Sequence, residues 1–399
     1  MNRAQSDSNP GFATGLSLLI PITLSTMAIV LLAPILPKIM DEYKGTPNYE
    51  YWVPMILTIP ALCVAILSPF AGVLGDYFGR RKLLIAAFGI YAVVGLAPIF
   101  LTDLTAILIS RVGVGISEAL IMVLSTTMIG DYYSGASRDK WLAGQTACAS
   151  ISALLFFNLG GFLGSHGWRT PFWVYSSALV MMAAVIAFTW EPAREGAKTA
   201  QSAPHNSSWE GFPWAKMLGI IAITIFGSVF FYTVQIQASS GLTALGLSDP
   251  ARIGLLTSIA SIGVPLGTFI YSRIGRTAVG KLLFAEFALL AVGFMLMSRT
   301  GTVTGFLVGC FINQLGAGLL LPTLLVWSMS ILDFEVRSRG TGMWQAAFSL
   351  GQWLSPIVVT FIALRVGGLL PGLAFLSYGA MAGAVVAAFA LMRGKTGNG

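Results

Sequence analysis

Arg111 and Glu118 are two charged residues inside a long apolar stretch, residues 104–129. Seven residues are close to two helical turns, so both side chains fall on one helix face, about 10 Å apart along its axis. A buried carboxylate can exchange a proton, because burial and a nearby cation act on its protonation in opposite senses. Arginine keeps its charge throughout. Arg111 can therefore neutralise Glu118, bind an anionic group, or act only as a structural partner that locks this helix to its neighbours.

Weaker candidates lie in other apolar stretches. Glu286 follows Lys281 by five residues, so we expect a boundary residue that pairs with this lysine. Uncharged polar side chains also recur at helical spacing, and amides in an apolar medium are costly unless they find partners. We expect these side chains to face the protein interior, where they can contact either a neighbouring helix or a ligand. They are Tyr232, Gln235, Ser239, Asn313, Gln314, Gln345, Phe348 and Gln352.

The composition identifies the elements that carry these residues as membrane helices. Hydrophobic residues make up 56% of the 399 residues and charged residues only 10%, and the mean hydropathy is +0.80. Since a soluble domain has about a quarter charged residues, soluble enzymes and nucleic-acid binders are excluded. About 20 apolar residues cross a bilayer, and twelve such segments predict an all-α integral membrane protein. The predicted spans are roughly 12–37, 51–74, 83–101, 104–129, 141–164, 171–190, 214–238, 251–271, 282–299, 302–327, 343–364 and 369–392.

The distribution of Lys and Arg predicts the orientation. With both termini inside, 16 of the 23 basic residues lie on the cytoplasmic side and six lie outside. Cytoplasmic loops carry an excess of Lys and Arg. We therefore expect a multi-pass protein of the cell's inner (plasma) membrane with both termini in the cytoplasm, surrounded by the lipid bilayer.

The chain divides into two similar halves. The pattern Arg111-x-Gly-x-Gly returns as Gln314-x-Gly-x-Gly, and Gly72-x3-Asp76 returns as Gly267-x3-Tyr271, both at offsets near 200 residues. We therefore expect two pseudo-symmetric six-helix bundles, 1–190 and 214–399, joined by a polar cytoplasmic linker, 191–213. Such repeats place a ligand site at their interface near the bilayer midplane.

Metal and cofactor chemistry finds no support in the sequence. The three cysteines lie in apolar runs without metal spacing, and the two histidines lie far apart. No phosphate-binding Gly-x4-Gly-Lys-[Ser/Thr] segment occurs. We expect no cofactor, no metal and no enzymatic activity.

The segment Gly72-x3-Asp76-x2-Gly79-Arg80-Arg-Lys resembles the loop 2–3 signature of the major facilitator superfamily. With twelve spans and the repeat, the resemblance covers essentially the whole chain. It implies a major facilitator fold, and a cytoplasmic gate in which Asp76 and Arg80 form a latch against the start of span 11, near Gly342. Small residues allow close helix contact, and we expect this role for Gly72 and Gly79.

Two further segments resemble signatures of the twelve-helix drug:proton antiporter group. Pro34-Ile-Leu-Pro37 matches its Pro-x-x-Pro segment, and Gly160-Gly161 matches the end of its span 5 signature, although the preceding Gly-Pro is missing. Arg111-x3-Gly-x2-Glu118-Ala is also similar to a span 4 pattern of proton-coupled organic-anion symporters. In the superfamily, spans 1, 4, 7 and 10 line a central cavity.

These resemblances imply a secondary transporter, monomeric, that moves a small molecule by alternating access. Glu118 and Arg111 are the predicted proton-coupling residues. The direction favoured by Pro34–Pro37 is proton-driven efflux of an amphipathic, drug-like compound. Two alternatives remain open: proton-coupled uptake of an organic, possibly aromatic carboxylate, and a transporter-like receptor without turnover. The predicted cavity residues are Arg111, Tyr232, Gln235, Asn313, Gln314 and Gln345.

Overall fold

The computed structural model describes residues 10–192, 212–332 and 334–396. Regular structure within these ranges is helical, and twelve helices are long and apolar enough to cross a membrane. The prediction of an all-α membrane protein with twelve spans is confirmed. The helices are α1 Phe12–Glu42, α2 Tyr49–Phe78, α3 Arg80–Ile99, α4 Leu104–Tyr132, α5 Gly135–Ser165, α6 Thr170–Phe188, α7 Trp214–Ala244, α8 Pro250–Ile274, α9 Val279–Arg299, α10 Val303–Ser330, α11 Phe334–Val366 and α12 Leu369–Thr396.

Several helices extend beyond their apolar segments. The basic run that begins at Arg80 forms the first turn of α3, and α5 begins at Gly135 rather than near residue 141. Hydropathy marks only the part of a helix that lies in hydrocarbon, whereas the backbone hydrogen bonds continue into water. The predicted linker covers 191–213, of which 193–211 lie outside the described residues.

The helices form two six-helix bundles, each around its own hydrophobic core. The core of the first bundle includes Leu57, Phe88 and Leu124, and the core of the second includes Phe287 and Leu320. The two-bundle architecture is confirmed, while the domain bounds at 190 and 214 stay a prediction.

The bundles contact each other at one end of the molecule, which we call the closed end. There α5 meets α8 so tightly that a Cβ on Gly161 would lie 2.9 Å from the Cα of Gly254. At the opposite end, which we call the latch end, a Cβ on Gly72 or Gly342 would meet nothing within 4 Å. Among the described residues, the close backbone contact between the bundles therefore lies at the closed end.

Candidate functional site

A cavity of about 220 Å³ lies between the two bundles. Residues of α1, α5, α7, α8, α10 and α11 form its wall, among them Ser25, Tyr232, Gln235, Phe348 and Gln352. The wall is aromatic and aliphatic with a few hydroxyl and amide groups. Within the described part of the chain, no charged side chain lines it. Such a cavity fits an amphipathic molecule with a small number of polar groups.

Glu118 of α4 lies directly behind this wall. Its side chain is 3% exposed and lies close to Ser25, which lines the cavity. Tyr232, also on the wall, lies within electrostatic range of the carboxylate. The second carboxylate oxygen, Oε2, has no hydrogen-bond partner among the described residues. The carboxylate is thus separated from the cavity by little more than one small side chain.

Arg111 is held on α4 by a backbone feature of α2. Pro60 lies inside α2 and has no N–H, so the carbonyl of Ile56, four residues earlier, lacks its helical donor. Gly115 lets α4 approach α2 closely, since a Cβ there would lie 2.6 Å from the Cα of Pro60. Arg111 Nε then donates to the Ile56 carbonyl oxygen at 3.2 Å. The guanidinium satisfies an acceptor that the proline left free.

Aromatic side chains of the sixth span complete the Arg111 environment. Arg111 Nη2 donates to the Tyr175 hydroxyl oxygen, and the guanidinium carbon lies 4.7 Å from the Tyr175 ring centre and 5.8 Å from that of Phe172. The arginine is fully buried and does not line the cavity. Among the described residues it forms no ion pair with Glu118, although the two share one helix face as expected.

The predicted amides form one hydrogen-bonded series that leads away from the cavity. Gln235 Nε2 donates to Gln314 Oε1 at 2.7 Å, and Gln314 Nε2 donates to Asn313 Oδ1 at 3.4 Å. Asn313 Nδ2 then donates to the Leu290 carbonyl oxygen of α9 at 3.4 Å. Gln235 lies on the wall, whereas Gln314 and Asn313 are fully buried behind it.

On two helices, the residues that line the cavity differ from those predicted from the sequence. On α11 the wall contains Phe348 and Gln352, whereas the half-buried Gln345 does not line the cavity. On α1, Ser25 was missed altogether, because a serine in an apolar span carries no signal by itself. The link between Ser25 and Glu118 depends on how α1 packs against α4, which spacing along one helix does not reveal.

The expectation for Glu286 was wrong. Glu286 is fully buried, because α9 begins at Val279 and the residue lies two turns inside the helix. Its Oε1 accepts a hydrogen bond from Thr323 of α10, and Oε2 has no partner in the described chain. The structure describes no ion pair with Lys281. Glu286 does not line the central cavity, so the second bundle holds a buried carboxylate of its own, away from that cavity.

The predicted latch residues form an ion triad within the first bundle. Arg80 Nη2 donates to Asp76 Oδ1 at 2.8 Å, and Arg80 Nη1 donates to the carboxylate of Asp131 at the end of α4. Asp131 was missed, although it is an acidic residue on the expected cytoplasmic side.

The glycines of the latch have different roles. Gly79 has a φ of +92° between α2 and α3, which favours glycine, and a Cβ there would also lie 3.2 Å from the Glu191 carboxylate. Gly72 makes no close helix contact in this structure, contrary to expectation. Gly75 does so instead, because it packs against Leu124 of α4.

Comparisons with known proteins agree with this architecture. The family model described as Major Facilitator Superfamily matches residues 18–356. "Multidrug resistance protein 2" of Bacillus subtilis (strain 168) is 27% identical over 354 residues, 85% of this chain and 86% of that protein. "Tetracycline resistance protein, class C" of Escherichia coli is 23% identical over 368 residues, 89% of this chain and 91% of that protein.

Solved structures show the same fold at low identity. A D-xylose–proton symporter superposes with a TM-score of 0.77 at 17% identity, covering 95% of this chain and 96% of that chain. A bacterial homologue of the human lysosomal transporter Spinster, inward-facing and occupied, superposes with a TM-score of 0.75 at 17% identity and covers 98% of both chains.

Proposed function

Because the chain belongs to the major facilitator superfamily, we propose that it exports a small amphipathic molecule in exchange for protons, by alternating access. The chain is a multi-pass membrane protein and a transporter rather than an enzyme. One observation carries the proposal. Glu118 lies behind an uncharged cavity wall, whereas Arg111 is held away from the cavity. A carboxylate next to an apolar, aromatic cavity favours a cationic or neutral compound over an anion.

Glu118 is the proposed proton carrier. When the closed end opens, Glu118 takes up a proton through the cavity and the compound leaves. When the latch end opens, Glu118 releases the proton and an incoming cation finds a carboxylate within electrostatic reach. Ser25 is placed to transmit this change, because it lies on the wall and close to the Glu118 carboxylate. Arg111 holds α4 to α2 and α6 and tunes the charge of Glu118 from a distance.

The relatives support the export direction. Two of them are named as resistance proteins, for multiple drugs and for tetracycline, and resistance by a membrane transporter means outward transport. The proposal therefore includes an inner-membrane location, cytoplasmic termini at the latch end, and a monomer that works within the bilayer.

Proton-coupled uptake of an organic carboxylate is the second candidate, favoured by the Arg111–Glu118 spacing alone. It requires a cation that the carboxylate can reach. Arg111 is fully buried, and its Nε and Nη2 donate to Ile56 and Tyr175. Uptake would therefore need a state in which the substrate reaches the buried Arg111 Nη1, which has no partner among the described residues, or in which the guanidinium leaves both partners. A receptor that binds without turnover is the remaining alternative.

The test is proton-coupled transport in proteoliposomes that contain a pH dye. A panel of lipophilic cations and aromatic acids is added to wild type, Glu118→Gln and Glu286→Gln. We expect lipophilic cations to move protons in the opposite direction in wild type. Glu118→Gln should bind cations but lose coupled transport by about 10²- to 10⁴-fold, the range for loss of a positioned proton-transfer group. Glu286→Gln is the matched control, and should stay within about twofold of wild type.

Other outcomes favour the alternatives. Aromatic acids that enter together with protons, with loss of this activity in Arg111→Lys, would establish uptake. A ligand that binds but is neither accumulated nor exchanged would establish a receptor. Normal coupling in Glu118→Gln would show that Glu118 is structural and would remove the carboxylate on which the proton-coupling proposal depends.

A further inference from the structure

A proline in α2 leaves a backbone acceptor free at the closed end. Pro54 lies inside the helix and has no N–H, so the carbonyl of Glu50, four residues earlier, has no helical donor. Thr360 of α11 donates its hydroxyl to this carbonyl oxygen at 3.2 Å. The donor belongs to the second bundle and the acceptor to the first, so this hydrogen bond crosses the boundary between the bundles.

A second hydrogen bond across the same boundary also involves a residue four positions before a proline. Ser239 of α7 donates to the carbonyl oxygen of Ala33 in α1. Pro37 cannot serve as the helical donor for that carbonyl, and the N–H of Leu36 bonds to it through a 3₁₀ turn. The segment Pro34-Ile-Leu-Pro37, which resembles a family signature, thus lies at the contact between the bundles.

Hydrogen bonds to the carbonyl four residues before a proline also occur inside each bundle, between helices that stay together during transport. In the first bundle, Arg111 donates to the carbonyl that Pro60 leaves free. In the second, Thr268 donates at 3.0 Å to the carbonyl of Gly318, four residues before Pro322. The chain therefore uses proline-freed carbonyls to hold helices together in hydrocarbon, where an unsatisfied carbonyl is expensive.

We propose that Pro54 creates the acceptor of a releasable lock at the closed end and that Thr360 is its donor, with the hydrogen bond from Ser239 to Ala33 beside it. The hydroxyls must leave these carbonyls whenever the bundles separate at this end. Water that enters the opening can then solvate both partners, so the net contribution of each bond is modest. We expect each bond to shift the closed-to-open ratio by about 3- to 10-fold. This assignment is independent of the substrate and of proton coupling.

The lock is tested by measuring the open population without any substrate. Spin labels at Trp52→Cys and Phe361→Cys, both exposed positions on α2 and α11 beside the lock, report the separation of the bundles by pulsed electron resonance. The three native cysteines are replaced by alanine in all forms. The compared variants are Thr360→Val, Thr360→Ser, Pro54→Ala and the double variant Pro54→Ala/Thr360→Val.

We expect Thr360→Val to raise the open-to-closed ratio by about 3- to 10-fold, and Thr360→Ser to retain the wild-type ratio because it keeps the hydroxyl. Pro54→Ala restores an N–H that can bond to Glu50 within the helix. The added effect of Thr360→Val in that background should therefore fall below about twofold. Pro69→Ala is the control for proline removal from α2, since Pro69 is exposed and near the latch end, and it should leave the ratio unchanged.

Two results would overturn the lock. Equal ratios for Thr360→Val and Thr360→Ser would show that the hydroxyl does not matter. An undiminished effect of Thr360→Val in the Pro54→Ala background would show that the carbonyl freed by Pro54 is not its acceptor. A folding defect is distinguished from both by Thr360→Ser and by the elution profile of each purified variant.

Discussion

The two ends of the molecule are held by different kinds of interaction. At the closed end, backbone meets backbone through Gly161 and Gly254, and hydroxyls of one bundle bond to carbonyls of the other. At the latch end, ions pair within one bundle through Arg80. Contacts of the first kind require atoms to fit within a few tenths of an ångström, whereas exposed ion pairs tolerate displacement and are screened by salt. The closed end should therefore be sensitive to the addition of a single methyl group, and the latch end to the removal of a charge.

The largest effect is expected for Gly161→Ala at the closed end. The new methyl group would lie 2.9 Å from the Cα of Gly254 and would overlap the Pro250 carbonyl oxygen. Overpacking costs about 1–3 kcal/mol, so the closed-to-open ratio should fall by about 5- to 150-fold. The label pair at Trp52 and Phe361 measures this ratio directly.

The transport rate should fall in the same variant, because a protein that cannot close one end cannot complete its cycle. Gly130→Ala provides the matched control, since Gly130 lies in α4 and a Cβ there would meet nothing within 4 Å. An unchanged ratio in Gly161→Ala would show that α5 and α8 are not tightly packed when this end closes.

Arg80→Met tests the latch end, where charge should matter. The variant removes the cation between Asp76 and Asp131, whose side chains remain 64% and 25% exposed. Exposed ion pairs contribute about 0.2–1 kcal/mol each, so we expect a loss of about 1 kcal/mol in the free energy of unfolding. Thermal unfolding of the purified protein at low and high salt checks this result.

The difference between wild type and Arg80→Met should shrink at high salt, because salt already screens the pairs in wild type. Arg80→Lys should recover part of the stability. A loss that is the same at every salt concentration would mean that Arg80 contributes by packing rather than by charge.

The sequence predicted the residue types of the site better than their partners. Twelve spans, two bundles and a buried Glu118 follow from hydropathy and spacing, because a charged residue in hydrocarbon is conspicuous. The Ile56 carbonyl that accepts from Arg111 could not be found in this way, since it becomes available only because Pro60 lies four residues further along α2. A search for prolines inside spans would have been the useful signal.

The sequence also did not predict how deeply individual residues are buried. Glu286 was placed at a boundary because Lys281 is near it in sequence, but α9 begins early enough to bury the carboxylate against Thr323. Gly72 was expected at a close contact, yet among the described residues a Cβ there would meet nothing within 4 Å. A sequence pattern reflects the contacts that a transporter makes in all of its conformations, whereas one structure shows the contacts of a single conformation.

Asn158→Ala should have a smaller effect on the closed end than Gly161→Ala. Asn158 Nδ2 donates to Ser258 Oγ of α8 at 2.7 Å and to the Leu154 carbonyl of its own helix at 2.8 Å. Only the first bond crosses between the bundles, and hydrogen bonds between membrane helices average about 0.6 kcal/mol. The closed-to-open ratio should therefore fall by about threefold in the label measurement. Asn158→Ser is the milder control, and a larger fall in it than in Asn158→Ala would contradict this account.

The smallest effect is expected for Gly72→Ala at the latch end. A Cβ at Gly72 meets nothing within 4 Å, so the state described here should accept it with a change in unfolding free energy below about 0.5 kcal/mol. The closed-to-open ratio of the other end should also stay within about twofold. Gly72 should matter more in the conformation in which the latch end is closed. If the latch resembles that of the superfamily, closing it brings α11 towards Gly72. A variant that is as stable as wild type but slower in transport would then locate the close contact in the state that this structure does not contain. Wild-type transport would instead assign that contact to Gly75.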